Sequence, residues 1–490
     1  MKSRILIIFK DNKSVKETNK RGQTMGKIIW DKFSEEEKQQ YIEFLKIFGA
    51  LSGLFKDNKE GSNAKKPYLY YRNHEQLFAR VFEVRDLTRK DSAFDALGVW
   101  GEERIGIGLK TWIHSNDKTY QKVAEFNKLA PTVIVPLMQN GTPEEVVLKV
   151  AELRNDRIML DKRLYRTNSD VYHFITRDDN VMNIIETSYD LIDIESIEFL
   201  KTDGKVYHFK DKIHNYKFYK SKSVLLEEFD ASQGEIIKKI DIEQYDDPFE
   251  LIKMISIPES QINMLQVKSI GGESLGKYES IDLVREENDD NYGTVDNYDN
   301  VIYLPLYQDK KEGRMVTDCS GVNIRHGKSK NKGSNTPRPE YEIEVRISKW
   351  IHCIFPRFFG IDGLDENEVK DAELNDFDLI LPDERILRGR VKQENGKSLQ
   401  TSPQGALGEW ILKDVLGLEN REIVTWELLD NLGIDSLKVT KIDDKHFTIT
   451  VAETGAYEKF KLNYKEKMIE KGLKGRQLPY FRPELVSELD

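Results

Sequence analysis

The sequence predicts an α+β protein in two parts, an α/β half followed by a β-rich half. Apolar residues recur at helical spacing in the first half, most clearly from Tyr41 to Phe48. Short alternating runs typical of strands dominate the second half. Residues 288–300, polar, acidic and turn-rich, lie between them. We therefore expect a linker there and domains at 25–285 and 300–490.

Composition limits the class of protein. The 490 residues are 39% hydrophobic and 33% charged, as in a globular protein with a well-solvated surface. No apolar run reaches about 18 residues, and the apolar stretch within Met1–Phe9 is too short for a signal peptide. Cys319 and Cys353 are the only cysteines, which argues against a disulfide scaffold, a structural zinc site and secretion. We expect a cytoplasmic protein with no membrane span.

The first half alternates helices with strands. Ser34 precedes three glutamates, a pattern that begins a capped helix, and Gly101-Glu-Glu is the expected turn of a hairpin. In chain order we predict helices within 25–60 and at 73–85, a hairpin at 95–113, a helix carrying residues 122–127, a helix at 145–154 and a β-rich stretch at 170–230.

The second half is predicted as strands interrupted by short helices, which favours a mixed barrel-like domain over a βαβ array. Trp410, Leu412 and Trp426 are expected in its core. The predicted strands are 301–304, 341–347, 377–381, 436–442 and 446–451, and the predicted helices are 406–415 and 425–432.

The hairpin carries candidate catalytic residues. Asp95 lies on one arm and Lys110 on the other, so the two can approach across the strands. Gly106 and Gly108 share the face of Lys110 by period-2 alternation, which would leave that face bare for a phosphate. Glu125 follows on the predicted helix. Carboxylates suit a hard divalent cation, and a lysine stabilises the charge that develops in phosphodiester hydrolysis.

This layout resembles the PD-(D/E)XK nuclease superfamily. The acid-X-Lys tripeptide of that family is here Gly108-Leu109-Lys110, so the strand acid is missing. In restriction endonucleases of this kind a glutamate from the next helix replaces it. The resemblance implies a PD-(D/E)XK-like α/β core in which Asp95 and Glu125 hold Mg²⁺ and Lys110 lies at the attacking water. Glu75 matches the helical acid that some members point at the site.

Other hydrolytic chemistries fit the sequence less well. A phospholipase-D-type site needs an aspartate four residues on from His-X-Lys, and neither His208-Phe-Lys210 nor His326-Gly-Lys328 has an aspartate at that spacing. A ββα-metal nuclease needs clustered histidines, and the eight here are scattered. No glycine-rich loop ends in Gly-Lys-Ser/Thr, so we expect no ATP motor.

Charge is unevenly distributed. The net charge of −10 argues against a nucleic-acid binder, but 325–338 carries five positive charges and no acid. Acidic residues concentrate at 286–290 and 362–378. Screening removes distant charges beyond about 10 Å, so a local basic strip is what a phosphate experiences. A solvated charged loop is the alternative interpretation.

A series of motifs across the second half resembles the B3-like pseudobarrel DNA-recognition domain of restriction endonucleases and plant transcription factors. The motifs are Ser320–Asn323, Arg338–Ile347, Leu381–Asp383, Gly396–Leu399, Ala406–Leu412, Val424–Thr425 and Leu429–Gly433. The resemblance covers roughly 300–455. It implies that two arms grip the major groove, here 325–338 and 392–402.

The side chains of these arms suit DNA. Arginine and lysine bind guanine edges or phosphates, and asparagine and glutamine pair with adenine edges. The candidates for base contacts are Arg325, Asn335 and Arg338, and Gln393 and Gln400 are further candidate DNA-binding residues. The candidates for phosphate contacts are Lys328, Lys330, Lys392 and Lys397.

Together these patterns predict a type II restriction endonuclease that cuts double-stranded DNA with Mg²⁺. Cutting two strands with one site per chain favours a homodimer. The recognition domain could instead bind a second copy of the site and activate cleavage. The alternative from another class is a non-catalytic, sequence-specific DNA-binding protein whose first half serves dimerisation or an effector role.

Overall fold

A computed structural model gives the fold of most of the chain. Within the described residues no helix is long and apolar enough to cross a membrane. These residues are 29–55, 65–88, 92–114, 118–127, 129–231, 236–245, 247, 249, 300–311, 313–327, 338–371, 373–419 and 421–481.

The helices of the first half begin at well-formed caps. The Ser34 hydroxyl accepts from Glu37 N, and Glu37 in turn accepts from Ser34 N at 2.7 Å, as the sequence predicts. Thr142 caps a second helix in the same way, and buried apolar residues carry that helix to Tyr165, well past the predicted end at 154. The helices are α1 (Glu35–Ala50), α2 (Tyr71–Val81), α3 (Val135–Asn140) and α4 (Pro143–Tyr165).

The strands of the first half form two sheets. One has the order β1-β2-β3-β5-β6-β11 and the other β4-β10-β9-β8-β7. The strands are β1 (Arg85–Asp86), β2 (Ala96–Trp100), β3 (Glu103–Ile113), β4 (Lys118–Glu125), β5 (Ser169–Asp178), β6 (Val181–Ser188), β7 (Glu198–Asp203), β8 (Val206–Lys210), β9 (Asn215–Tyr219), β10 (Val224–Asp230) and β11 (Ile236–Asp241).

The six-stranded sheet contains the predicted hairpin, β2 and β3, which turns at Gly101 with a φ of 64°. Strand β3 then pairs in parallel with β5, and α4 lies between them in the chain. Helices α1 and α2 cover one face through a core that includes Leu45, Phe78 and Ile107. The hairpin is therefore part of the sheet that these two helices cover.

The five-stranded sheet packs one face on α4, with Phe209, Phe218 and Val150 in the shared core. Its strand β4 corrects the sequence analysis, which predicted a helix at 122–127. The segment pairs with β10 instead. Thr119 and Tyr120 favour extended backbone, and strand pairing outweighs the helical spacing of the side chains that follow.

The second half consists of short strands and helices. The strands are β12 (Val301–Pro305), β13 (Gln308–Lys310), β14 (Gly313–Met315), β15 (Val345–Arg346), β16 (Asp376–Ile380), β17 (Ile386–Lys392), β18 (Ser398–Ser402), β19 (Ile434–Lys441) and β20 (His446–Glu453). The helices are α5 (Lys349–Ile354), α6 (Glu366–Lys370), α7 (Ala406–Gly408, continued by a π-helix Glu409–Val415), α8 (Trp426–Leu432), α9 (Ala456–Asn463) and α10 (Lys465–Glu470).

Seven of these strands form one sheet in the order β12-β19-β20-β16-β17-β18-β15. Its edge strands β12 and β15 contact each other, so the sheet is a nearly closed barrel. The predicted mixed α+β class and barrel-like second half are confirmed. Trp410 and Leu412 are buried as expected, and Trp426 packs partly buried against the same core.

The two halves pack directly on each other. Arg85 Nη1 donates to Pro382 O at 2.5 Å, and Arg163 Nε donates to Val415 O at 2.9 Å. One apolar cluster includes Phe174 of the first half and residues of the barrel. The predicted linker and the boundary at 285 lie outside the described residues, so the domain limits stay a prediction.

Candidate active site and nucleic-acid interface

The hairpin brings Asp95 and Lys110 together, as predicted. Asp95 directly precedes β2, and its N–H donates to Ile107 O at 2.9 Å. Lys110 Nζ lies 3.6 Å from Asp95 Oδ2, and that oxygen also accepts from Leu109 N at 2.6 Å. Both side chains are about one fifth exposed, at 23% and 22%. The pair is therefore fixed by the backbone yet open to solvent.

Glu75 of α2 joins this pair. The pKa of Glu75 is raised from 4.5 to about 7, chiefly by burial and then by the negative charge of Asp95, while Lys110 opposes the shift. Asp86 on β1 also raises the pKa of Glu75 and is an acid that the sequence analysis did not single out. We call Glu75, Asp95 and Lys110 the carboxylate–lysine cluster.

Gly108, which stands where the nuclease superfamily has an acid, leaves no room for a side chain. A Cβ at this position would lie 2.5 Å from the ring of Tyr172 and 2.8 Å from that of Tyr189. These two rings stack at 4.0 Å between centroids. The prediction that the glycine face is bare for a phosphate is wrong, because aromatic rings fill it at Gly108 and the ring of Phe94 does so at Gly106.

Glu125 lies elsewhere. It ends β4, in the other sheet, and its carboxylate accepts from Lys122 Nζ and Asn127 Nδ2, both at 2.8 Å. The hydrogen bond from Lys122 is the main cause of its lowered pKa. In the part of the chain that the structure describes, no contact or charge interaction joins Glu125 to Asp95 or Lys110. The structure thus brings Glu75, and not Glu125, to the predicted pair.

The donor set of the cluster suits magnesium better than zinc. Across the described ranges no group of three or more histidine, cysteine or acidic side chains is close enough to hold a metal ion. Mg²⁺ needs only one or two carboxylates because it keeps several of its waters. Glu75 and Asp95 supply two, and their mutual repulsion is what a bound cation would relieve.

A buried hydrogen-bonded network lies behind the cluster. The Tyr41 hydroxyl is 2.8 Å from His74 Nε2 and 3.3 Å from His173 Nε2, and His173 Nδ1 is 3.0 Å from Glu186 Oε1. Burial keeps the pKa of His74 well below its ordinary value. His74 precedes Glu75, so the network ties α2 to the sheet beneath the cluster. No sequence signal joined these four distant residues.

The second half contains a cleft of about 620 Å³. Four predicted DNA-contacting residues line it: Arg338, Gln393, Lys397 and Gln400. Arg346 and Lys349, which the sequence analysis did not select, also line the cleft.

The loop that carries Gln393 and Lys397 has a fixed shape. Gln393, Asn395 and Gly396 all have positive φ, and His352 Nε2 lies 2.9 Å from Gly396 O. Gln393 and Lys397 are exposed at the tip of this loop. Lys392, at the end of β17, pairs with Ser398 and is half-buried, outside the residues that line the cleft.

The basic strip at 325–338 is described only at its ends. Arg325 is 2% exposed, and its guanidinium donates to Val322 O at 2.6 Å and to Glu422 O. This corrects its expected role, because the donors meant for a base are occupied inside the domain. Arg338 pairs with Glu342 at 2.8 Å on the wall of the cleft. The predicted contacts Lys328, Lys330 and Asn335 lie outside the described residues.

Comparison with known families agrees with the barrel. Residues 302–443 match the family model of the NgoFVII C-terminal B3-like DNA-binding domain, a DNA-binding domain of a restriction enzyme. A search of curated proteins finds no match. The predicted resemblance of the second half to B3-like domains is confirmed. The match indicates DNA as the partner of this domain.

Proposed function

We propose that this chain is a type II restriction endonuclease that cuts double-stranded DNA with Mg²⁺. The B3-like domain would select the sequence, and the first half would cut. The observation that carries the proposal is the carboxylate–lysine cluster, in which Lys110 lies 3.6 Å from Asp95 beside a Glu75 whose pKa is about 7. Two neighbouring carboxylates next to a lysine are suited to phosphodiester hydrolysis.

Each residue of the cluster has a distinct part. Asp95 and Glu75 would hold Mg²⁺, which, when bound, offsets phosphate charge and lowers the pKa of water. Leu109 N donates to Asp95 Oδ2 at 2.6 Å and so holds this carboxylate in place. Lys110 would orient the attacking water and stabilise the negative charge that develops on the phosphate. Glu75 takes the place that the sequence analysis gave to Glu125.

The cleft in the second half would bind the DNA. Lys397 and Gln393 project from the fixed loop, and Arg346 and Lys349 supply further positive charge on the wall. Arg338 would exchange its partner Glu342 for a base edge or phosphate. We also propose a homodimer, because each chain offers one cluster and a duplex has two strands.

The test is cleavage of supercoiled plasmid DNA carrying diverse sequences, with Mg²⁺, by the wild type and Lys110→Ala. We expect discrete fragments from the wild type and a rate at least 100-fold lower from the variant, with DNA binding retained. Lys370→Ala, an exposed lysine of α6, is the matched control and should cut normally. A wild type that binds DNA and never cuts would favour the non-catalytic DNA-binding protein instead.

A further inference from the structure

One row of side chains crosses all five strands of the sheet that contains β4. Lys201 lies opposite His208, and His208 lies opposite Lys217. Lys217 and Lys122 both lie opposite Leu226, on its two sides. We call these five residues the basic row, since it holds three lysines, a histidine and no acid.

The basic row faces away from the protein. Its neighbours along the strands, Tyr207, Phe209, Tyr216 and Phe218, are buried in the core against α4. Successive side chains of a strand point to opposite faces, so the row lies on the outer face. Lys122 is 61% exposed.

The charges of the row repel one another. The pKa of His208 is lowered by burial and then by Lys201 and Lys217. Among the described residues Lys201 and Lys217 form no ion pair, whereas Lys122 pairs with Glu125 at 2.8 Å. The two lysines thus disfavour the protonated form of His208 between them, and a bound polyanion would relieve that repulsion.

An aromatic ring and further lysines flank the row. Lys217 Nζ lies 3.7 Å from the ring centroid of Tyr120, which holds the ammonium group over the sheet. Beyond one end of the strands, two adjacent turns carry the exposed Lys205 and Lys222, which extend the positive charge past the row. Lys220, in the same turn as Lys222, does not contribute to this face, because its Nζ lies 4.3 Å from the ring centroid of the inward-facing Tyr207.

We propose that the basic row binds the phosphate backbone of duplex DNA, as a second contact outside the B3-like domain. The proposal rests on DNA as the partner in the proposed function. Four strand spacings of about 4.8 Å give the row a length of about 19 Å. Each strand of a duplex has a phosphate every 3.4 Å along the axis, so a row of this length can contact several phosphates.

The test is DNA binding in EDTA, measured against salt concentration, for the wild type and the triple variant Lys122→Gln, Lys201→Gln, Lys217→Gln. Loss of three phosphate contacts should make the slope of log K against log salt concentration less steep by about 2.7. Between 50 and 200 mM salt, the affinity of the triple variant should therefore fall about 40-fold less than that of the wild type. The loss should be equal for specific and unrelated duplexes, because backbone contacts do not read sequence. The control variant Lys238→Gln, Lys370→Gln, Lys413→Gln should keep the slope.

An unchanged slope in the triple variant, with an unchanged unfolding temperature, would overturn the proposal. It would also be overturned if the variant lost binding to anionic vesicles and kept its binding to DNA. Because EDTA removes divalent metal from the binding assay, a chain that binds DNA through the basic row but never cuts it would still give the expected slope. Failure of the proposed nuclease activity and failure of the row are therefore distinguishable.

Discussion

Glu75→Gln should stabilise the metal-free protein at pH 8 and leave it almost unchanged at pH 5. The pKa of Glu75 rises from 4.5 to about 7 on folding, because of burial and of Asp95. Between these values the folded protein holds more protons on Glu75 than the unfolded chain does. The free energy of unfolding therefore falls as the pH rises through this window.

The size of the effect follows from the shift. At 1.36 kcal/mol per unit, the full shift corresponds to about 3 kcal/mol. Solvent reaches the half-buried carboxylate and screens it, which reduces the expected cost to about 1–2 kcal/mol above pH 7. Glutamine keeps the shape of the side chain without its charge, so the variant should regain this amount at pH 8.

The assay is urea unfolding at pH 5 and pH 8, with and without Mg²⁺, for the wild type, Glu75→Gln and Glu125→Gln. Mg²⁺ should stabilise the wild type at pH 8, since it binds the charged pair, and should stabilise Glu75→Gln far less. Glu125→Gln should respond to Mg²⁺ like the wild type. Equal pH dependence in the wild type and Glu75→Gln would refute the assignment of Glu75 to the cluster.

Three further predictions follow from buried or exposed contacts. Arg325→Met should lower the free energy of unfolding by about 2–4 kcal/mol, measured in urea, because two carbonyls lose a buried charged donor; an unchanged stability would contradict this. Tyr41→Phe should cost about 1–2 kcal/mol and slow cleavage, since it removes the hydroxyl that links His74 to His173; normal values of both would contradict it. Lys397→Ala should weaken DNA binding in a fluorescence titration without changing the unfolding temperature, and unaltered affinity would rule Lys397 out of the interface.

The sequence was sufficient where the signal was local. The cap at Ser34, the hairpin turn at Gly101 and the alternating strands of the barrel each depend on neighbouring residues, and the structure has them as predicted. Asp95 and Lys110 could be paired because a hairpin fixes which residues face each other.

The sequence was insufficient where packing between distant elements decides. Glu125 follows Lys110 at a spacing that suits a helix, but pairing of β4 with β10 takes it into another sheet. Glu75 is a member of the cluster only because α2 packs over the hairpin. Arg325 belongs to a basic strip in the sequence, yet its guanidinium turns inward to Val322 O. Such choices depend on tertiary contacts that spacing along the chain does not encode.

The most direct test of the central claim is the rate of Mg²⁺-dependent DNA cleavage by Glu75→Gln and Glu125→Gln at equal DNA occupancy. Glu75→Gln should cut at least 100-fold more slowly than the wild type, since one of the two carboxylates of the cluster is lost. Glu125→Gln should cut at the wild-type rate, because its carboxylate binds Lys122 and Asn127 on another sheet. Full activity in Glu75→Gln with loss of activity in Glu125→Gln would contradict the account.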